Sequence, residues 1–169
     1  MAEIAAYVAL GSNLDNPMAQ IERAFGELGR LPATRLVARS SLYLSRPDGH
    51  LDQPDYINAV AGLKTQLAPR LLLDALLGIE ARHGRLRTFK NAPRTLDLDL
   101  LLYDGLVMHE PGLTLPHPRM MERAFVLAPL TEIAPEVDVP GRGPAAAGLD
   151  RLDLTGLACL PHPGQLAAR

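Results

Sequence analysis

The chain has 169 residues, 47% of them hydrophobic, with 17 basic and 19 acidic side chains and a formal net charge of −2. That length supplies one sizeable core and leaves no room for a second large domain, so residues 1–169 are expected to form a single domain, with 140–169 as a C-terminal extension. The near-neutral balance excludes a general attraction to nucleic acid or to an anionic membrane, so any phosphate recognition must come from locally placed arginines.

Cys159 is the single cysteine, which excludes an internal disulfide and a cysteine-ligated zinc site. The start of the chain has no basic leader, and the apolar run at 4–10 is too short for a signal peptide or a membrane span, so a cytoplasmic location is expected.

Residues 4–10 read as a buried strand. Gly11-Ser12-Asn13-Leu14-Asp15-Asn16-Pro17 then gives a turn, an N-cap candidate at Asn16 and a proline at the first helical position. The helix that follows is expected to reach about Leu31, with Ile21, Ala24, Phe25 and Leu28 along the face that packs on a sheet. Strands are expected over 34–45 and 56–65, separated by a turn-rich stretch at 46–54 that is long enough to be a substrate loop. Pro69 opens a second helix that ends near His83 at Gly84, and its core stripe is Leu71, Leu72, Ala75, Leu76 and Ile79. A loop at 85–93 leads into a last strand around Asp97.

The order βαββαβ predicts an α+β, ferredoxin-like fold, an antiparallel sheet with helices packed on one face and the other face free for a ligand. Beyond Tyr103 the periodicity weakens. A loop is expected over 113–118, short helices near 120–125 and 126–133, and a mobile connection rich in glycine, proline and alanine over 140–148.

The strongest chemical signal is Pro93-Arg94-Thr95-Leu96-Asp97-Leu98-Asp99-Leu100. Strand alternation puts Asp97 and Asp99 on one face and the leucines on the other, and two neighbouring carboxylates need a compensating positive charge. An oxygen-only pair suits Mg²⁺ carrying nucleotide phosphates better than it suits zinc or copper. Arg85, Arg87 and Arg94 converge in sequence on this pair, as phosphoryl transfer requires, because its catalysis consists mostly of holding and neutralising phosphate oxygens. A solvated strand face balanced by a basic loop has the same local pattern.

The turn at Gly11 matches neither a Walker nor a Rossmann phosphate loop, so it is read as structural, with Ser12 or Asn13 bonding locally. His117, stiffened between Pro116 and Pro118, is a candidate phosphate donor, and Glu80 stands at the dipole-unfavourable end of the second helix. Asn58 interrupts an apolar strand, and its amide must find both donor and acceptor partners, which a planar heterocycle offers. Phe125 and Tyr56 are candidates to stack on such a ring.

Gly11-Ser12-Asn13, Asp52-Gln53-Pro54-Asp55-Tyr56-Ile57-Asn58-Ala59, Ile79-Glu80, Gly84-Arg85-Leu86-Arg87, the block from Pro93 to Leu100 and Leu115-Pro116-His117 occur in this order over roughly residues 4–137. Together they resemble the 6-hydroxymethyl-7,8-dihydropterin pyrophosphokinases of folate biosynthesis. The resemblance implies transfer of pyrophosphate from ATP, as co-substrate, to the hydroxymethyl oxygen of a reduced pterin, with AMP leaving. It implies that Asp97 and Asp99 hold two Mg²⁺ ions, that Arg85 and Arg94 stabilise the transferred group, and that Glu80, Arg87, Leu100, Thr114, His117 and Arg123 contact ATP. By the same matching Ser45, Pro47, Tyr56, Asn58, Asn91 and Phe125 shape the pterin pocket, Asn91 standing where a tryptophan is frequent. A monomer without nucleic-acid or membrane partners is expected.

Two-metal nucleotidyl transfer, which would release pyrophosphate, is the nearest competing enzyme reading. An RNA-binding module on the same fold is disfavoured by the 4% aromatic content and the acidic balance.

Overall fold

The structure, a computed structural model, describes residues 2–46, 54–84 and 95–161. Its first half runs β1 (Ile4–Ser12), α1 (Pro17–Gly29), β2 (Thr34–Arg39), β3 (Tyr43–Ser45), β4 (Tyr56–Thr65), α2 (Pro69–Arg82) and β5 (Asp97–Tyr103). Ala6, Val8 and Leu10 face one side of β1 and are at most 2% exposed, so this strand belongs in the middle of a sheet. It pairs antiparallel with β4 on one side and β5 on the other.

β2 and β3 share the far side of β4, where a single strand was expected. Ser40 makes the break: its hydroxyl oxygen takes the Val60 N–H at 2.9 Å, replacing a ladder carbonyl. At the other boundaries, Asn16 precedes α1 in the left-handed region (φ 64°) without a side-chain cap bond, and α2 ends at Gly84 with φ 75°.

The helices α1 and α2 cover one face. Ile21, Phe25 and Leu28 of α1 and Leu72, Leu76 and Ile79 of α2 close over Val8, Leu10, Leu63, Leu98 and Leu100 in one core. This is the α+β, ferredoxin-like arrangement, an antiparallel sheet with its two crossover helices on one side.

The C-terminal half is better ordered than its composition implies. It contributes β6 (Met108–Glu110), β7 (Leu113–Leu115), a single 3-10 turn at Met120–Glu122, α3 (Ala124–Ile133), β8 (Asp138–Val139), β9 (Gly143–Pro144), α4 (Ala145–Asp150) and β10 (Ala158–Cys159). The loop expected over 113–118 begins as a strand, because β7 folds back on β6 in a hairpin. The mobile connection expected over 140–148 is instead a hairpin and a helix, locked by Val139 and Ala145, which are 1% and 0% exposed. Its small residues serve close approach: a Cβ on Gly148 would stand 2.4 Å from Met121 Cε.

On the second sheet face, Val126, Leu127 and Leu130 of α3 pack over Val60, Leu101 and Leu102. The face expected to be free is therefore roofed over part of its area, and only the end carrying Asn58, Gly11 and Asp97 remains for a ligand. Finally β10 adds to the outer side of β3, continued by Leu160 N–H donating to Leu42 O at 2.8 Å.

Candidate active site

The site follows from strand register. Asn58 pairs with Gly11, and Gly11 with Asp97; one step along, Val60 pairs with Ala9, and Ala9 with Asp99. Because strand side chains alternate, Asn58, Gly11, Ala9, Asp97 and Asp99 all rise from the second face. The middle strand offers only a hydrogen and a methyl group, so a trough runs between the amide and the carboxylates. The resulting cleft is walled by Ser45 and Arg46 at the end of β3, Tyr56 at the start of β4, and Arg123 and Phe125 at the head of α3.

Asn58 is 5% exposed and donates from Nδ2 to Ser45 Oγ at 2.7 Å and to Tyr43 O at 3.5 Å. Its Oδ1 lies over Gly11, where an added Cβ would stand 3.5 Å away. The amide thus meets a ligand as an acceptor, which fits the ring N–H groups of a heterocycle. Tyr56 and Phe125 bring the two candidate stacking rings to the same cleft.

Ser12, read from sequence with Asn13 as a locally bonded turn, does bond locally, its Oγ to Leu14 O at 3.5 Å, but both residues also reach much further. Ser12 Oγ donates to Thr95 O at 2.5 Å and Asn13 Nδ2 to Pro54 O at 3.2 Å. They tie the end of β1 to the residues that lead into β5 and β4, and so fix where those strands begin. A serine and an asparagine at the end of a strand gave no hint of partners 83 and 41 residues away.

On the β5 side, Glu80 is 4% exposed and accepts the Leu98 N–H at 2.7 Å. That N–H points off the outer side of β5, and by alternation so does the backbone of Leu100. Thr114 lies in β7, and the chain then passes through the cis Leu115–Pro116 bond to His117, whose N–H donates to Leu101 O at 2.9 Å.

His117 Nδ1 accepts the Arg119 N–H at 3.2 Å, so the neutral ring carries its proton on Nε2 as a donor. Burial first, and then the guanidinium of Arg123, push its pKa down to about 4 against an opposing pull from Asp97. Arg123 Nε is buried without a hydrogen-bond partner, while its guanidinium lies 5.6 Å from the centre of the Phe125 ring. A buried, unsatisfied guanidinium donor beside two carboxylates fits a phosphate held on metal.

The described residues therefore bring together Ser45, Tyr56, Asn58, Asp97, Asp99, Arg123 and Phe125 in one cleft. Glu80, Leu100, Thr114 and His117 lie on the elements that flank β5 or on β5 itself. Pro47, Arg85, Arg87, Asn91 and Arg94 lie outside the described residues. Arg46 was missed from sequence, since an arginine at a strand end is ordinarily a solvated charge.

Paired carboxylates facing an amide and two aromatic rings across a strip of small residues make this cleft the candidate group-transfer site of an enzyme on a ferredoxin-like sheet. Residues 7–135 match the profile of the family described as 7,8-dihydro-6-hydroxymethylpterin-pyrophosphokinase (HPPK), and the chain belongs to that family. It is 53% identical over 134 residues to a 2-amino-4-hydroxy-6-hydroxymethyldihydropteridine pyrophosphokinase of Pseudomonas aeruginosa, covering 79% of this chain and 83% of that one. A Haemophilus influenzae protein of the same name is 48% identical over 137 residues, covering 81% of this chain and 86% of its own. Among solved structures, a Plasmodium falciparum HPPK-DHPS triple mutant with pteroate superposes with a TM-score of 0.69 at 12% identity. The match covers 88% of this chain and 43% of that bifunctional one, so this chain spans less than half of it and the likeness concerns the fold.

Proposed function

We propose that this protein transfers the diphosphate of ATP to the hydroxymethyl oxygen of 6-hydroxymethyl-7,8-dihydropterin and releases AMP, in the biosynthesis of folate. The observation that carries this reading is the row Asn58–Gly11–Asp97, which sets a heterocycle-reading amide and a metal-binding carboxylate on one strip of sheet. The pterin lies over Gly11 between Tyr56 and Phe125, its ring N–H groups on Asn58 Oδ1 and its hydroxymethyl group toward Asp97 and Asp99.

Asp97 and Asp99 would hold two Mg²⁺ ions, whose chemistry is to neutralise phosphate oxygens and ease loss of the hydroxyl proton. The hydroxymethyl oxygen bonds to the β-phosphorus as the bridging bond to the α-phosphate breaks. Arg123 donates to the triphosphate through the Nε that lacks a protein partner, and His117 donates from Nε2. Arg85 and Arg94 stabilise charge on the moving group. Glu80, Arg87, Thr114 and the backbone of Leu100 hold the nucleotide, while Ser45, Pro47 and Asn91 complete the pterin pocket.

The protein acts as a monomeric single domain in the cytoplasm, with no nucleic-acid or membrane partner. Among the described residues no helix is long and apolar enough to cross a membrane.

Product analysis with ATP, Mg²⁺ and the pterin tests the reading. AMP must form only when the pterin is present, and Asp97→Ala must lower turnover by about a hundred- to a thousandfold. Release of pyrophosphate instead would identify nucleotidyl transfer and overturn it.

A further inference from the structure

Arg46 lies between two residues assigned to the pterin pocket and has no role assigned to it. Together with Arg123 it is one of two cations among the described residues that line the cleft. The two come from different elements. Arg123 stands at the head of α3 next to Phe125, whereas Arg46 directly follows Ser45, which pairs with Tyr56 and whose hydroxyl holds the Asn58 amide. The arginine thus leaves its strand beside the groups that read the heterocycle.

Its stem is backed by the C-terminal part of the chain. The turn after α4 passes beside it with Gly156 at φ 83°, where an added Cβ would be in ordinary van der Waals contact, 3.7 Å from both Cδ and Nε of Arg46. Two residues later β10 begins and pairs Ala158 with Leu44 and Cys159 with Tyr43. The C-terminal segment therefore holds β3 by its backbone and Arg46 by its side chain.

Hydrogen-bond accounting gives this arrangement a purpose. Both N–H donors of Asn58 are committed to Ser45 and Tyr43, so the amide serves a ring only as an acceptor. A pterin also carries a carbonyl oxygen and unprotonated ring nitrogens, and each needs a donor once water is excluded. A guanidinium has donors and no acceptor.

We propose that Arg46 is a pterin-binding residue, held at the cleft by the turn at Gly156, which donates to the acceptor atoms of the heterocycle. The inference rests on the reading of the substrate as a reduced pterin. It makes the C-terminal extension part of the substrate pocket.

The test is calorimetric titration of 6-hydroxymethyl-7,8-dihydropterin into full-length protein with Mg²⁺ and an ATP analogue bearing a methylene group between the α- and β-phosphorus. Arg46→Ala is expected to weaken pterin binding about tenfold, with nucleotide affinity changed less than about twofold and Arg46→Lys recovering part of the loss. Gly156→Val, which cannot keep that backbone conformation without strain, is expected to weaken pterin binding in the parent and to add nothing in the Arg46→Ala background.

Wild-type protein that binds pterin while Arg46→Ala binds it equally well overturns the proposal. So does an Arg46→Ala effect confined to the pyrophosphorylated product, which would assign the arginine to the transferred group. A wild-type protein that binds no pterin overturns the substrate reading itself.

Discussion

His117 shows how far one residue's chemistry depends on its surroundings. Its pKa, lowered from 6.5 to about 4 by burial and by Arg123, leaves it neutral throughout the physiological range. The unfolded chain binds the proton more tightly, so the stability that this residue contributes is fully present above 6.5 and is lost as the pH falls from 6.5 toward 4. Between pH 7 and pH 5 that loss amounts to about 1 kcal/mol, once the water-exposed part of the ring is allowed for. Urea midpoints at the two pH values check it, and His117→Asn should flatten the difference. The position of His117 was legible from its flanking prolines. Its protonation was not, because it is set by burial and by arginines from two separate places, Arg119 and Arg123 at the ends of the Met120–Glu122 turn and Arg142 between β8 and β9. Asp97 and Asp99 were legible for the opposite reason: period-two alternation decides the face of a strand without reference to any partner.

At the scale of elements, what the sequence left open is where ladders stop. Nothing in residues 34–45 signals that Ser40 will substitute its hydroxyl for a carbonyl, yet this splits one expected strand into β2 and β3 and lets β3 carry Ser45 to the cleft. The break is secured from α3. Glu132 accepts the Ser41 N–H at 3.0 Å, the Ser41 hydroxyl at 2.9 Å and the Tyr43 hydroxyl at 2.7 Å. Burial and this carboxylate together push the Tyr43 phenol well above its ordinary pKa, which keeps it a donor. Glu132→Ala should cost about 1–3 kcal/mol of stability, and Tyr43→Phe about 1 kcal/mol, by denaturant melts. Small residues were the second obstacle. The stretch 140–148 looks unstructured by composition, but Ala145 and Gly148 are small because α4 packs tightly on the turn before α3.

The molecule as a whole has two apolar clusters separated by the sheet, and they stand in different relations to the site. Leu76 belongs to the cluster under α1 and α2, and Leu127 to the one that seats α3. Both are 0% exposed, so truncation of either to alanine should cost about 2–4 kcal/mol. Only Leu127→Ala loosens the helix that starts at Arg123 and Phe125, so it alone should raise KM for the pterin in steady-state assays run well below melting. An unchanged KM in Leu127→Ala would mean that the head of α3 is positioned independently of its packing. The first cluster was readable from helical spacing except at Leu71, which was expected in the core stripe of α2 and is 57% exposed; the second required knowing which side of the sheet the later chain returns to.

β5 is the last strand in its direction, paired with β1 on one side and met by Glu80 on the other. Asp97 and Asp99 face the trough, while the backbone of Leu98 and Leu100 turns outward, beside Glu80. One short stretch of chain thus presents acid to the trough and peptide groups to its outer side, with the distance between them set by the pleat. A slip of β5 by a single residue would turn the acids into the core and the leucines into the trough, abolishing both contacts at once. The spacing between the trough and the outer side of β5 is therefore held by hydrogen-bond register rather than by any adjustable side chain, and it is as stiff as the sheet.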